Sequence, residues 1–281
     1  MPPRSDPSRR GAPVISVSHL TALDASPEDF LDAAAAAGFT GVGLRIIPPS
    51  HTPDRWPVAG DGPRVRALRR RADDLGMRIF EAESFMATPD LDLDAMKRGF
   101  AAAAELGVSV VVAAGADPDE ARRVDSYAAL ADLAAPYGIV VGMEFMAFRP
   151  MATLGDAMRT WRQVGKPNAR LLIDALHLNR TGGTPADVAA IDPAAIGYIH
   201  ICDAPATKSG DMDFATEARV GRLYPGEGAL PLHALFDALP ADVPVSLEAP
   251  VGGIAHLPAA ERLKQAGART LGFFAEREAR R

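Results

Sequence analysis

Four stretches of this sequence end an apolar, β-rich run on a side chain that can ligate a cation: Val141-Gly-Met-Glu144, Leu171-Leu-Ile-Asp174, Ile199-His200 and Ser246-Leu-Glu248. Each of these side chains is costly to bury alone, and a shared cation satisfies them together. Three carboxylates and one imidazole make a mixed oxygen and nitrogen shell with no soft sulfur. That shell suits one divalent ion, Mn, Mg, Co or Zn, with positions left open for substrate. Such an ion can hold two adjacent oxygens of a hydroxy-carbonyl compound and stabilise the charge of an enediolate. Glu144 or Glu248 beside it can then move the proton. His177, three residues after Asp174, is expected to face substrate.

The elements that must carry these residues alternate. Apolar β-rich runs fall at Val14 to His19, Gly41 to Ile47, Met77 to Glu83, Val108 to Ala114, Ile139 to Glu144, Arg170 to Asp174, Ile196 to Cys202 and Val243 to Glu248. Most are continuous rather than alternating, the pattern of parallel strands buried on both faces. Between them run Ala-rich helical stretches, at Pro27 to Ala37, Gly62 to Leu75, Leu93 to Leu106, Pro118 to Ala135, Leu154 to Val164, Leu232 to Leu239 and Pro258 to about Glu278. Gly38, Gly76, Gly107, Gly138 and Gly165 each stand where a left-handed helix cap is expected before the next strand. Eight such units match an α/β fold, a single-domain (β/α)8 TIM barrel, better than a doubly wound sheet. In that fold the catalytic face lies where the strands end. Residues 13–281 are expected to form the barrel and residues 1–12 a flexible tail. The irregular stretch Asp203 to Gly228 reads as an active-site loop.

Composition narrows the function. The 281 residues carry 30 Lys+Arg against 36 Asp+Glu, a formal net charge of −6 with no general attraction for polyanions, so nucleic acid is not the expected partner. No apolar run approaches the ~20 residues of a membrane helix, so no membrane is expected either. Cys202 is the only cysteine, which excludes an intramolecular disulfide and a Cys-built metal cage and points to the cytoplasm. Arg9 and Arg10 resemble a twin-arginine export signal, but His19 and Asp24 interrupt the stretch that follows. A small-molecule substrate is the expected partner, and a homo-oligomer is left open.

The run Gly142-Met-Glu144, Asp174 with His177, His200 with Asp203, the turn Pro225-Gly-Glu-Gly228 and Leu247-Glu248 together resemble the xylose isomerase-like TIM barrel family of sugar phosphate isomerases and epimerases, which is related to endonuclease IV-type barrels. The resemblance runs from Val14 to about Phe274. It implies a metal held by Glu144, Asp174, His200 and Glu248, with the two glutamates exchanging protons with substrate and His177 binding a substrate oxygen. The chain also departs from the family. Pro150 and Ala206 stand where many ketose epimerases carry a second Glu and an Arg, and strand two, which often carries a Glu, here has Gly43 followed by Arg45.

Arg45, Arg219 and Arg222 are candidates to clamp a substrate carboxylate with their planar forks, and Glu83 to face the pocket. Asp203 is expected to orient His200 or a loop rather than bind metal. His19 and His51 lie near the same rim, whereas His233 and His256 read as surface or helix residues. Phe85, Met86, Met146, Phe148 and Trp56 are expected in loops after strands, as an apolar wall. The function this implies is a metal-dependent isomerase or epimerase of a sugar, keto-acid or cyclitol derivative in carbohydrate metabolism. The alternatives are a lyase that dehydrates a ring keto-acid such as a dehydroshikimate-like or inosose-like compound, and a DNA phosphodiesterase.

Overall fold

A computed structural model describes residues 14–49 and 53–280. The expected tail at residues 1–12, the arginine pair Arg9 and Arg10, and His51 lie outside the described residues. The strands are β1 (Ile15–Val17), β2 (Gly41–Arg45), β3 (Arg78–Ala87), β4 (Val110–Gly115), β5 (Val140–Glu144), β6 (Ala169–Asp174), β7 (Ile196–Ile201) and β8 (Val245–Leu247). They pair in parallel in chain order, and β8 returns to β1 to close a barrel. The helices are α1 (Pro27–Ala36), α2 (Gly62–Asp74), α3 (Leu93–Leu106), α4 (Glu120–Ala134), α5 (Leu154–Val164), α6 (Ala175–Arg180), α7 (Pro185–Ala189), α8 (Phe214–Val220), α9 (Leu232–Ala238) and α10 (Ala259–Ala279). Their starts follow from side-chain caps. Asp92, Asp119 and Thr153 accept backbone N–H bonds at the heads of α3, α4 and α5. All five glycines expected to cap helices take positive φ, which a side chain disfavours.

The core has two parts. One large cluster fills the layer between strands and helices. A smaller one, Phe80, Val110, Val112, Leu172 and Tyr198, is separate from it. Its members on β4, β6 and β7 stand two residues apart from one another or from a strand-end polar group: Val110 and Val112, then Leu172 and Asp174, then Tyr198 and His200. Period two puts each set on one face of its strand, so polar rim groups sit above apolar packing on the inner side.

Three features differ from the sequence reading. Strand β3 runs on to Ala87, so Phe85 and Met86 lie in the strand rather than in a loop: Phe85 is a core residue packed 4.7 Å from Phe100, and Met86 lines the cavity from β3. Helices α6, α7 and α8 were not foreseen, because five to seven residues are too few to show a helical period. The Asp203 to Gly228 stretch therefore contains α8, which Arg180 of α6 pins through Glu217 at 2.8–3.0 Å, with both side chains buried.

His19 lies near the rim, beside Arg45, but is buried against Phe30. Its Nε2 lies 3.1 Å from the Ala25 carbonyl and its Nδ1 accepts the Arg45 amide N–H, an arrangement that fits one neutral tautomer. Burial pushes its pKa down to about 4. The unfolded chain, with a histidine pKa near 6.5, therefore binds more protons than the native state between those values. The stability His19 contributes is complete above about pH 6.5 and falls as pH drops towards 4, by about 3 kcal/mol. Urea titrations at pH 7 and pH 4 should show His19→Gln removing that part of the loss, and NMR should show the imidazole titrating near 4; titration near 6.5 would refute the assignment.

Candidate metal centre

Four neighbouring strands deliver the cluster. Glu144 ends β5, Asp174 ends β6, His200 lies one residue before the end of β7, and Glu248 follows β8 directly. Asp174 and His200 are register partners, and the Glu248 amide bonds to the Ile201 carbonyl at 2.9 Å, so the backbone ladder fixes the spacing. One ligand atom from each of the four residues falls within 4.8 Å of the others, and all four side chains are buried.

Three of the four ligands are held by neighbours, and Arg222 serves two of them. Asp174 caps α6 by accepting the His177 amide at 2.8 Å, and its other oxygen accepts from Arg222 at 2.7 Å. Glu248 pairs with Arg222 at 2.8 Å and accepts a weaker bond from Ser18 at 3.3 Å. His200 places Nε2 2.9 Å from Glu81, whose other oxygen accepts from Ser246. This leaves Nδ1 turned towards Glu248 at 3.5 Å and Glu144 at 3.8 Å. A carboxylate behind an imidazole fixes its tautomer and directs the free lone pair at a metal.

The electrostatics follow from burial. Burial pushes Glu144 upward and Glu248 up to about 8. It also opposes the charge on Asp174, but Arg222 together with His177 and His200 more than compensates and holds the group down to about 2. Burial opposes protonation of His200, yet the Glu248 and Glu81 carboxylates hold its pKa well above the usual value.

The residues fit a divalent ion on two grounds. Glu144 Oε1 and His200 Nδ1 are both buried without a hydrogen-bond partner, an expensive arrangement unless something else binds them. Three ligand carboxylates offset by one arginine leave two negative charges, which one divalent ion balances.

The other expected residues divide. Arg45 and Glu83 border the cavity beside the cluster, paired with each other at 3.1 Å, and Ser18 donates to Glu83 at 2.6 Å. Arg219 and His177 border it too. His177 is buried, edge-on to Phe148 at 5.6 Å, and burial pushes its pKa down to about 4. Arg222 is fully buried and its fork is taken up by Asp174 and Glu248. Asp203 orders the loop: its carboxylate accepts the amides of Ala204, Gly226 and Leu230. Met86, Met146 and Phe148 line the cavity, Trp56 lines a neighbouring one, His233 stacks on Phe273, and His256 is exposed. Cys202 is buried, with burial pushing its thiol up to about 12.

A profile of xylose isomerase-like TIM barrels matches residues 31–271. The chain belongs to the xylose isomerase-like TIM barrel family. Over 249 residues it is 28% identical to a 3-dehydroshikimate dehydratase of Pseudomonas putida, a match covering 83% of this chain and 37% of that protein. Over 113 residues it is 30% identical to an inosose isomerase of Halalkalibacterium halodurans, covering 39% of this chain and 38% of that one. These matches thus span less than half the length of either curated relative. Among solved structures, the IOLI protein with a bound zinc atom superposes with a TM-score of 0.79 at 20% identity, covering 94% of this chain and 98% of the other. A fusion of a xylose isomerase-like barrel with a 4-hydroxyphenylpyruvate dioxygenase gives 0.79 at 24% identity, covering 96% of this chain and 44% of that one. At those identities the likeness is one of fold.

Within this xylose isomerase-like barrel, Glu81 is the residue that the sequence reading passed over. Its signal was its spacing, two residues before Glu83 and so on the same face of the strand. Gly43 makes room for it, since a Cβ there would collide with the Glu81 carboxylate. The space that Gly43 leaves on β2 is filled by the Glu81 carboxylate of β3. Glu81→Ala should weaken manganese binding by about 10- to 100-fold, and Gly43→Ala should weaken it in the same direction without altering any ligand. Calorimetric titration checks both, and unchanged affinity in both variants would remove Glu81 from the centre.

Proposed function

We propose that this chain is a metal-dependent enzyme that moves a proton on the carbon beside a carbonyl of a small hydroxy-carbonyl compound. As an isomerase or epimerase, it would act on a sugar, keto-acid or cyclitol derivative. The observation that carries this reading is the convergence of four buried ligand residues within 4.8 Å, two of which, Glu144 and His200, keep a buried atom without a hydrogen-bond partner. Glu144, Asp174, His200 and Glu248 would hold the ion. A divalent ion there, Mn, Mg, Co or Zn, supplies chelation of two adjacent substrate oxygens and offsets the negative charge that grows as the proton leaves.

The chain's own residues do the rest. Glu144 and Glu248 stand on either side of β6 and β7, so one carboxylate can take the proton from one side of a bound substrate and the other can return it from the opposite side. His177, beside Asp174 and edge-on to Phe148, binds a substrate oxygen in this reading. Arg45 and Glu83 close the wall of the cavity next to Glu248.

A second reading is dehydration of a ring keto-acid. It is favoured by the 28% identity to a dehydratase across 83% of the chain. The first step is the same removal of a proton; loss of hydroxide then replaces the return of the proton.

Incubating the manganese-loaded protein with keto-sugars and keto-cyclitols in deuterium oxide separates the readings. Isomerisation or epimerisation places deuterium on carbon in the product, whereas dehydration yields an unsaturated product absorbing in the ultraviolet. Turnover of phosphodiesters alone, with no exchange at carbon, would refute both. His177→Ala should keep the metal and lose about 100-fold or more in turnover; loss of metal together with activity would make His177 a ligand instead.

A further inference from the structure

The cavity beside the metal centre, about 590 Å³, is bordered by five arginines, and three of them are neutralised within the protein. Arg45 pairs with Glu83, Arg262 with Asp24, and Arg222 with both Asp174 and Glu248. The other two, Arg149 and Arg219, have no carboxylate within 4 Å among the described residues. Arg149 is half-buried, and its Nε has neither a hydrogen-bond partner nor contact with solvent. Arg219 makes one bond at 3.3 Å, to the Ala215 carbonyl of its own helix.

Both guanidinium groups lie 5.5 Å from the centre of the Phe148 ring, so at most twice that distance separates the two charges. Each charge opposes the other: burial and Arg219 lower the pKa of Arg149 against a smaller opposing pull from Glu144. The protein holds this like-charged pair in place from both sides. The Arg149 amide donates to the Met146 carbonyl at 2.8 Å, and the Arg180–Glu217 ion pair fixes α8, which carries Arg219. Two cations kept together on the wall of a substrate-sized cavity, with Glu144 acting on Arg149 and Asp213 on Arg219 only from beyond ion-pair distance, are favourable once an anion enters.

The position of the pair along the cavity adds a direction. Asp174 is capped by the His177 amide, His177 meets the Phe148 ring at 5.6 Å, and Phe148 carries the two arginines. A compound chelated at the cluster would pass His177, lie against Phe148 with Met146 and Met86 nearby, and end at the guanidinium groups.

Building on the proposed metal-dependent reaction, we infer that Arg149 and Arg219 form a subsite for a terminal oxyanion. The substrate is then an anionic hydroxy-carbonyl compound, carrying a carboxylate or phosphate-type group at the end remote from the chelated oxygens, rather than a neutral sugar or cyclitol. Arg149 was not among the residues marked in the sequence, because it closes no strand and forms no motif. The planar forks of the two side chains suit either oxyanion.

Three catechols of matched shape test this: 3,4-dihydroxybenzoate, 3,4-dihydroxyphenylphosphonate and the neutral 3,4-dihydroxybenzamide. All three can chelate through adjacent oxygens, and only the remote group differs. Calorimetric titration of manganese-loaded protein should show at least one anion binding about 10- to 100-fold more tightly than the amide. The tighter of the two anions identifies the group the subsite takes. Arg149→Met and Arg219→Met should each cut that preference, with metal content and thermal melting of the same preparations showing that fold and metal are intact. Should Arg149→Met fail to fold, exposed Arg219→Met and charge-retaining Arg149→Lys carry the test, the lysine keeping part of the preference. Equal binding of all three catechols, or a preference unaffected by the substitutions, would overturn the subsite and leave the metal reading standing. Failure of every catechol to bind in a metal-dependent way would overturn the metal reading and the subsite with it.

Discussion

Three carboxylates forced together out of water are the constraint on which the rest of this molecule turns. Glu144, Asp174 and Glu248 meet within a few ångströms at the rim of the barrel, where like charges repel strongly and solvent does little to screen them. Arg222 answers part of that charge from outside, gripping Asp174 and Glu248 at 2.7 and 2.8 Å. His200, aimed by Glu81, fills the remaining side. The loop between β7 and β8 exists in its ordered form to bring Arg222 there: Asp203 ties its far end through the Gly226 and Leu230 amides, and Arg180 anchors α8 through Glu217.

The barrel makes such crowding affordable because its strands are parallel and laterally paired. Register places Asp174 opposite His200 and His200 opposite Ser246, so the backbone ladder sets spacings that flexible loops could not hold. The alternation of the strands puts small or apolar groups beneath the rim, among them Gly43, Gly142 and Ser246. Gly43 admits the Glu81 carboxylate and Gly142 admits the Tyr198 ring, each at a place where a Cβ would collide. Polar and apolar layers thus share one interior, and the polar one is stacked at the end where the strands stop.

Much of this was legible in the sequence, for physical reasons. Apolar runs such as Val140–Glu144 and Ala169–Asp174 are buried on both sides and therefore read without alternation, and a polar group closing such a run marks the rim. Helices α3 and α5 were bounded as expected because a capping side chain and a left-handed glycine mark both ends. What stayed hidden was set by tertiary contact. Glu81 sits inside a strand, where nothing in its neighbours tells a second-layer carboxylate from a core polar residue. Phe85 looked like a loop residue because β3 continues past Glu83. Arg222 and Arg219 stand three residues apart on one short segment and read alike, yet one is enclosed by two carboxylates and the other has none within ion-pair distance among the described residues. Only the folded loop distinguishes them.

Anomalous scattering from a crystal soaked in manganese tests most directly whether Glu144, Asp174, His200 and Glu248 share one ion. The expected result is a single strong peak bonded by all four side chains through carboxylate oxygens and His200 Nδ1, with Glu81 still on Nε2. A map without density there, or one in which the manganese settles elsewhere while Arg222 keeps the carboxylates to itself, would contradict it.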